Sequence, residues 1–282
     1  MRWQPGDRSN IEDQRGRRGI RGAAPLGLGG LLIIAALSYF TGADFFSMLG
    51  DVSNSSGPAG GVPAELATSP EEERMVEFVD AVAGDTQDTW ARLLGSRYER
   101  TVVSLFRDAV QSACGAAESA TGPFYCPGDR KVYLDLGFFA ELSRRFGAPG
   151  DFAQAYVIAH EFGHHVQKLL GTNERVREDP RPGTNSASVA LELQADCYAG
   201  VWGHDASQRG RFRTGKIELE TGDAEEALQA AAAIGDDRLQ RMASGHVAPE
   251  RFTHGSSAQR MEWFRRGMST GDPAQCDTFA RR

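Results

Sequence analysis

This chain of 282 residues has no C-x-x-C pair, no internal repeat and no excess of positive charge. The missing C-x-x-C argues against a zinc knuckle or a redox dithiol. The missing repeat argues against a solenoid or propeller. A net charge of −7 argues against nucleic acid as the main partner, because phosphate binding needs a basic surface. Length and composition instead suit one large domain or two small ones.

Charge is unevenly spread. Residues 1–22 carry six Arg against Asp7, Glu12 and Asp13, whereas residues 22–43, GAAPLGLGGLLIIAALSYFTGA, carry no charge at all. As a helix those residues would extend about 33 Å, against a hydrocarbon core of about 30 Å. Arg15, Arg17, Arg18 and Arg21 precede them and Asp44 and Asp51 follow. The positive-inside rule then predicts a single-pass signal anchor over 23–43, with a basic cytosolic segment at 1–22 and everything beyond about residue 44 exported. A buried core helix is the bland alternative. A cleaved signal peptide is another, since Thr41 and Ala43 weakly resemble a cleavage site, but the long charged lead and the lack of A-x-A favour an uncleaved anchor.

Four cysteines, Cys114, Cys126, Cys197 and Cys276, are consistent with export. They allow three connectivities or buried free thiols; Cys114–Cys126 with Cys197–Cys276 is the pairing preferred here. A Ser-, Gly- and Pro-rich stretch over 51–70 reads as a flexible linker, giving a tether at 44–68 and a domain over 69–282. Ser69, Pro70 and Glu71 to Glu73 signal a helix start. That helix carries Met75, Val76, Phe78, Val79 and Val82, and a second short one is expected from Thr86 to Gly95. Residues 100–111 are ambiguous. Residues 122–139 read as strand and turn, with Val132, Leu134 and Leu136 alternating against Tyr133 and Asp135. Helices follow at about 151–170, 186–203, 223–234, 235–243 and 256–268. The domain is thus α+β, mainly helical with a small sheet.

Three of the six histidines fall within AYVIAHEFGHHVQKLLG, residues 155–171. On a helical wheel with His160 at zero, His164, Glu161 and His165 fall at about 40°, 100° and 140°. Phe152, Ala155, Ile158, Phe162 and Val166 lie on the adjoining face. The titratable side chains therefore form their own stripe, which apolar packing would aim at a cleft. Two His at i and i+4 can hold one metal ion, with the Glu beside the first able to reach a water on it; this is the H-E-x-x-H pattern of zinc peptidases. A catalytic zinc usually has three protein ligands. The helix SASVALELQADCYAGVW offers Glu192 as the third, with Asp196 one turn on to orient a ligating His. Ser188, Ala199 and Gly203 share nearly that face and are small enough for close helix approach.

HEFGH followed by ELQAD resembles the gluzincin arrangement, H-E-x-x-H plus E-x-x-A-D. More closely, MRWQPGDRSNIEDQRG, ACGAAESATGPFYCPGDRKVYLDLGFF, AHEFGHHVQ, ELQADCYAGVW and RFTHGSSAQRMEWFRRGM resemble the predicted neutral zinc metallopeptidases of bacteria. The resemblance implies a zincin-like domain holding one Zn2+ per chain through His160, His164 and Glu192. It also implies Glu161 as catalytic acid/base, acting on peptide or protein substrates. His254, before a glycine and a helix start, is the candidate oxyanion donor, with Tyr156 and Tyr198 weaker and His204 and His246 bland. His165 could tune Glu161 or simply hold structure. The strand VYLDL is the candidate edge for an extended substrate. The competing reading is a non-hydrolytic, membrane-tethered zinc-binding interaction module; a hydrolase of non-peptide amides ranks third.

Overall fold

The computed structural model describes residues 1–16, 68–119, 122–178, 181–212 and 216–280. It is mainly helical with small sheets. The expected anchor over 23–43 and nearly all of the 44–68 linker lie outside the described residues. Among the described residues, no helix is long and apolar enough to cross a membrane.

Helix α1 runs from Pro70 to Leu94. The Ser69 side chain caps it by accepting from the Glu72 amide at 3.1 Å, and the first-turn acids favour its positive end. The two helices expected here are one, since Gly84 lies inside it and the chain turns only at Gly95, with φ of 59°. The ambiguous run at 100–111 divides into β3, Val103–Phe106, and β4, Ala109–Ser112, which pairs with β5, Gly115–Glu118.

The first sixteen residues belong to this fold, where the sequence reading set 1–22 apart. Strand β1, Arg2–Trp3, pairs with β8, Ile217–Glu218. Strand β2, Ile11–Asp13, runs parallel beside β3. The Met1 ammonium reaches Asp151 and Asp223 at 3.1 and 3.2 Å. Burial opposes that charge, but the two carboxylates raise its pKa to about 10. Arg15, 1 % exposed, pairs with Glu72 at 2.9 Å and Glu73 at 3.0 Å. Residues 15 and 72 are therefore neighbours although 57 positions apart in sequence.

The principal sheet has the order β2-β3-β7-β6, with β6 spanning Phe124–Cys126 and β7 spanning Lys131–Asp135. Strand β7 runs parallel to β3 and antiparallel to β6, and Val132, Tyr133 and Leu134 are all buried. VYLDL is therefore an interior strand, covered on both faces. The edge is β6.

Helix α2 covers Gly137–Arg144, α3 Asp151–Leu169, the short α4 Glu174–Glu178 and α5 Ala187–Phe212. They are followed by α6, Asp223–Ala233, α7, Asp236–Ser244, and α8, Ser257–Thr270. Helix α3 packs against α1, α5 and α6, and α8 lies along α5. Helix α5 continues past Gly203 because its glycines serve packing: a Cβ on Gly200 would stand 2.2 Å from the Phe264 carbonyl oxygen of α8. Disulfides join Cys114 to Cys126 and Cys197 to Cys276, the preferred pairing. The first ties the β4–β5 hairpin to the edge strand.

Candidate metal centre

The site is built where α3 crosses α5. Gly163, one residue before His164, makes that crossing close. A Cβ on it would lie 3.0 Å from Cα and 3.1 Å from the carbonyl oxygen of Ala195. Its backbone thus packs directly on the middle of α5, between Glu192 and Asp196. Here the small residue between the two histidines of HEFGH has a packing reason.

The crossing brings three candidate ligands together. The ligand atoms of His160, His164 and Glu192 all lie within 4.8 Å of one another. His160 Nε2 stands 3.3 Å from one Glu192 oxygen and His164 Nε2 stands 3.4 Å from the other. Both imidazoles turn their other nitrogen to an acceptor. Nδ1 of His160 donates to Asp196 at 2.8 Å, and Nδ1 of His164 to the Gln167 side-chain oxygen at 2.8 Å. In the neutral rings these partners leave each Nε2 with a lone pair facing Glu192, the tautomer that a metal needs. Burial disfavours a charged His160, yet Asp196 and Glu192 outweigh it and raise its pKa to about 10. The donors thus make a place for positive charge. Two nitrogens and one carboxylate fit zinc, with a coordination position left for water or substrate.

Asp196 is fully buried and supported from two sides. Arg260, 2 % exposed, donates to it twice, from Nε at 2.9 Å and Nη2 at 2.8 Å. The Tyr156 hydroxyl donates to it at 2.5 Å. Burial pushes the Asp196 carboxyl up, but Arg260 foremost and then His160 hold it below the usual carboxylate range. Glu192 is also held low: its burial is outweighed chiefly by His164 and by the hydrogen bond to His160.

Glu161 lines the same cleft, which has a volume of about 530 Å³. Burial raises its pKa, and the charges of His164 and then His160 work the other way. His254 stands at the rim of the cleft, largely exposed. Its Nδ1 lies 3.3 Å from Asp236, and the amides of Thr253, His254 and Gly255 all donate to the other Asp236 oxygen at 2.7 to 3.0 Å. The Asp236 hydrogen bond raises the His254 pKa against the opposing effect of burial. The capping box of α8, Ser256 with Gln259, fixes the end of this loop.

Of the weaker candidates, Tyr156 lines the cleft, whereas Tyr198 packs on Trp90 in a separate core cluster. His204 donates from Nδ1 to the Met268 carbonyl oxygen at 2.9 Å, and His246 is exposed. The sequence reading missed Gln167 and Arg260. Gln167 lies one turn after His164, and an i+3 polar residue on a metal helix was a usable signal. Arg260 carried none, since nothing local marks it as buried. Apolar side chains of Phe138, Val157, Ile234 and Leu239 complete the walls.

Residues 1–279 match the family described as "putative neutral zinc metallopeptidase". The chain is 44 % identical over 299 residues to the uncharacterized protein YpfJ of Escherichia coli K12, with all of this chain and 99 % of that one covered. It is 45 % identical over 222 residues to the uncharacterized protein Rv2575 of Mycobacterium tuberculosis H37Rv, covering 77 % of this chain and 75 % of that one. No solved structure matches. With a metal-binding geometry in place and a match from end to end, the chain belongs to the neutral zinc metallopeptidase family.

Proposed function

We propose that this protein is a zinc-dependent hydrolase of peptide bonds, holding one Zn2+ through His160, His164 and Glu192. The observation that carries the reading is the gathering of those three ligand atoms within 4.8 Å, in one cleft with the buried Glu161. Zinc, when bound, supplies a Lewis acid that acidifies a water and polarises a carbonyl. Glu161 takes the proton of that water as it attacks the peptide carbonyl, then delivers it to the leaving amine. Its raised pKa suits a group that must both accept and return a proton. Asp196 and Gln167 hold the two imidazoles in the ligating tautomer. His254, its charge supported by Asp236, donates to the developing oxyanion from the rim. An extended substrate lies along the open edge of β6.

The direct test is zinc content of the metal-stripped and reloaded full chain, purified without a metal-binding tag. About one zinc per chain, lost on Glu192→Ala, is the expected result. A folded chain that takes up no zinc would sink the proposal. Zinc uptake without cleavage of any peptide in a diverse library would favour a zinc-binding interaction module.

We further place the domain outside the cytosol, together with residues 1–16. Two disulfides support an oxidising compartment, and the Arg15 contacts with Glu72 and Glu73 support a shared face. Cysteines introduced at the exposed Gln4 and Met242 positions should both react with an impermeant maleimide added outside spheroplasts. Labelling of the Met242 position alone would restore the single crossing, and labelling of neither would place the whole domain in the cytosol.

A further inference from the structure

His165 has no place among the metal ligands and does not line the cleft, yet it is completely buried on the metal helix. Both of its ring nitrogens are engaged. Nε2 lies 2.7 Å from the Glu99 carbonyl oxygen, and Nδ1 lies 3.0 Å from the Tyr125 hydroxyl. A carbonyl only accepts, so the ring proton is on Nε2. Nδ1 is then the acceptor, and Tyr125 donates to it. The ring is packed edge-on against Tyr98 at 5.7 Å and tilted against Tyr125 at 5.4 Å. One side chain of α3 thereby grips the segment that leads into β3 and, through Tyr125, the edge strand β6.

Tyr125 is the central residue of β6. Its side chain reaches His165, and it lines the cleft together with Glu161, which lies four residues before His165 on α3. Strand β6 is paired on one side only, by β7. Its neighbours Phe124 and Pro127 line the cleft. A short edge strand held by one ladder has few contacts of its own to fix its distance from a helix. The bond to His165 supplies that distance.

We propose that His165 and Tyr125 are positioning residues that set the spacing between the substrate-binding edge strand and the Glu161 carboxylate. The inference rests on the peptidase reading for its catalytic consequence, but its structural half stands apart from it. Glu161 needs its carboxylate aimed at the reacting water, and misplacement of order 1 Å is enough to cost catalysis. His165 thus acts on the reaction through Tyr125, touching neither metal nor substrate.

The test uses three variants of the full chain, each measured per bound zinc. Tyr125→Phe removes only the hydroxyl and keeps the ring. His165→Gln keeps a donor near the Nε2 position but loses the acceptor for Tyr125. His165→Asn keeps an acceptor near Nδ1 and loses the donor to Glu99. Tyr125→Phe and His165→Gln should each lower kcat by roughly tenfold and raise KM for extended peptides, at unchanged zinc content. Asn should restore much of that loss. Combining Tyr125→Phe with His165→Gln should add little, because both cut one link.

A merely structural His165 would lower the melting temperature and the folded fraction, leaving KM and per-zinc kcat unchanged in all three variants. That result overturns the proposal, as does equal recovery by Gln and Asn. Hydrogen exchange over residues 122–128 gives a readout independent of hydrolysis. It should quicken about tenfold in Tyr125→Phe while the β3–β7 ladder stays protected. If the unmodified enzyme cleaves no peptide, the peptidase reading falls and exchange alone decides the link. Unchanged exchange at β6 refutes it.

Discussion

Glu161→Gln should retain about one zinc per chain and lose about a thousandfold in kcat/KM. The glutamine keeps the shape of the side chain, so the cleft and the three candidate ligands stay as they are. It cannot take up the proton of the attacking water or return it to the leaving amine. General acid–base catalysis of this kind contributes about 10² to 10⁴ in rate. Glu161 is 7 % exposed and its pKa is raised by burial, which leaves little access for a solvent base to replace it. Peptide cleavage assayed by mass spectrometry alongside metal analysis separates the outcomes. Full activity would remove Glu161 from the mechanism. Loss of zinc together with activity would make it a structural part of the metal site.

The second large effect falls on stability. Replacing Arg260 by Met keeps much of the volume but strips Asp196 of its cation inside the protein. Asp196 is 0 % exposed and Arg260 2 %, and two hydrogen bonds at 2.9 and 2.8 Å join them. Breaking a buried pair by removing one partner costs about 3 to 5 kcal/mol, because the remaining charge is left uncompensated. Urea unfolding of the metal-free variant should show a loss of that size. Metal-free protein is needed because bound zinc would itself add stability. A change below about 1 kcal/mol would mean that His160 and Tyr156 alone satisfy Asp196.

The pair also sets a direction for pH. Asp196 has a depressed pKa in the fold. Its contribution is therefore fully present above the ordinary carboxylate pKa of about 4 and is lost as pH falls through the lower folded value. The Met variant, whose Asp196 no longer has this cation, should lose less stability than the parent chain over that acidic range. Zinc affinity should fall with Arg260→Met as well, since Asp196 orients His160; outer partners of a ligand are typically worth about 10- to 100-fold in affinity.

Much of the centre was legible because it is local. His160, Glu161 and His164 share one helix, and Glu192 and Asp196 share another. The 3.6-residue repeat alone puts each set on a common face. That the two faces meet is a tertiary fact, and it depends on Gly163 lying against Ala195. His254 reached the cleft only because Asp236, eighteen residues earlier, gathers its loop. The division of α1 into two helices and the early end given to α5 share one cause. Each expected boundary falls beside a glycine, Gly84 or Gly203, but glycine inside a buried helix can be retained for close packing at modest cost. The edge strand was misassigned because alternation in KVYLD reports half-burial, whereas β7 is covered on both faces and β6 is too short for any period to show.

The sequence by itself determined the candidates: the side chains proposed to hold a metal, the one proposed to move a proton, and the helices that carry them. Those properties follow from residue type and helical spacing over fewer than ten positions. Tertiary structure decided what depends on distant segments meeting. Arg260 acquires its role only because α8 folds onto α5, and Tyr125 because β6 ends beside the metal helix. The first sixteen residues became part of the domain through strand pairing and the Arg15 contacts with Glu72 and Glu73. Hydropathy could not show this, because it reads a segment's affinity for lipid or water and carries no information about which parts of the chain lie side by side.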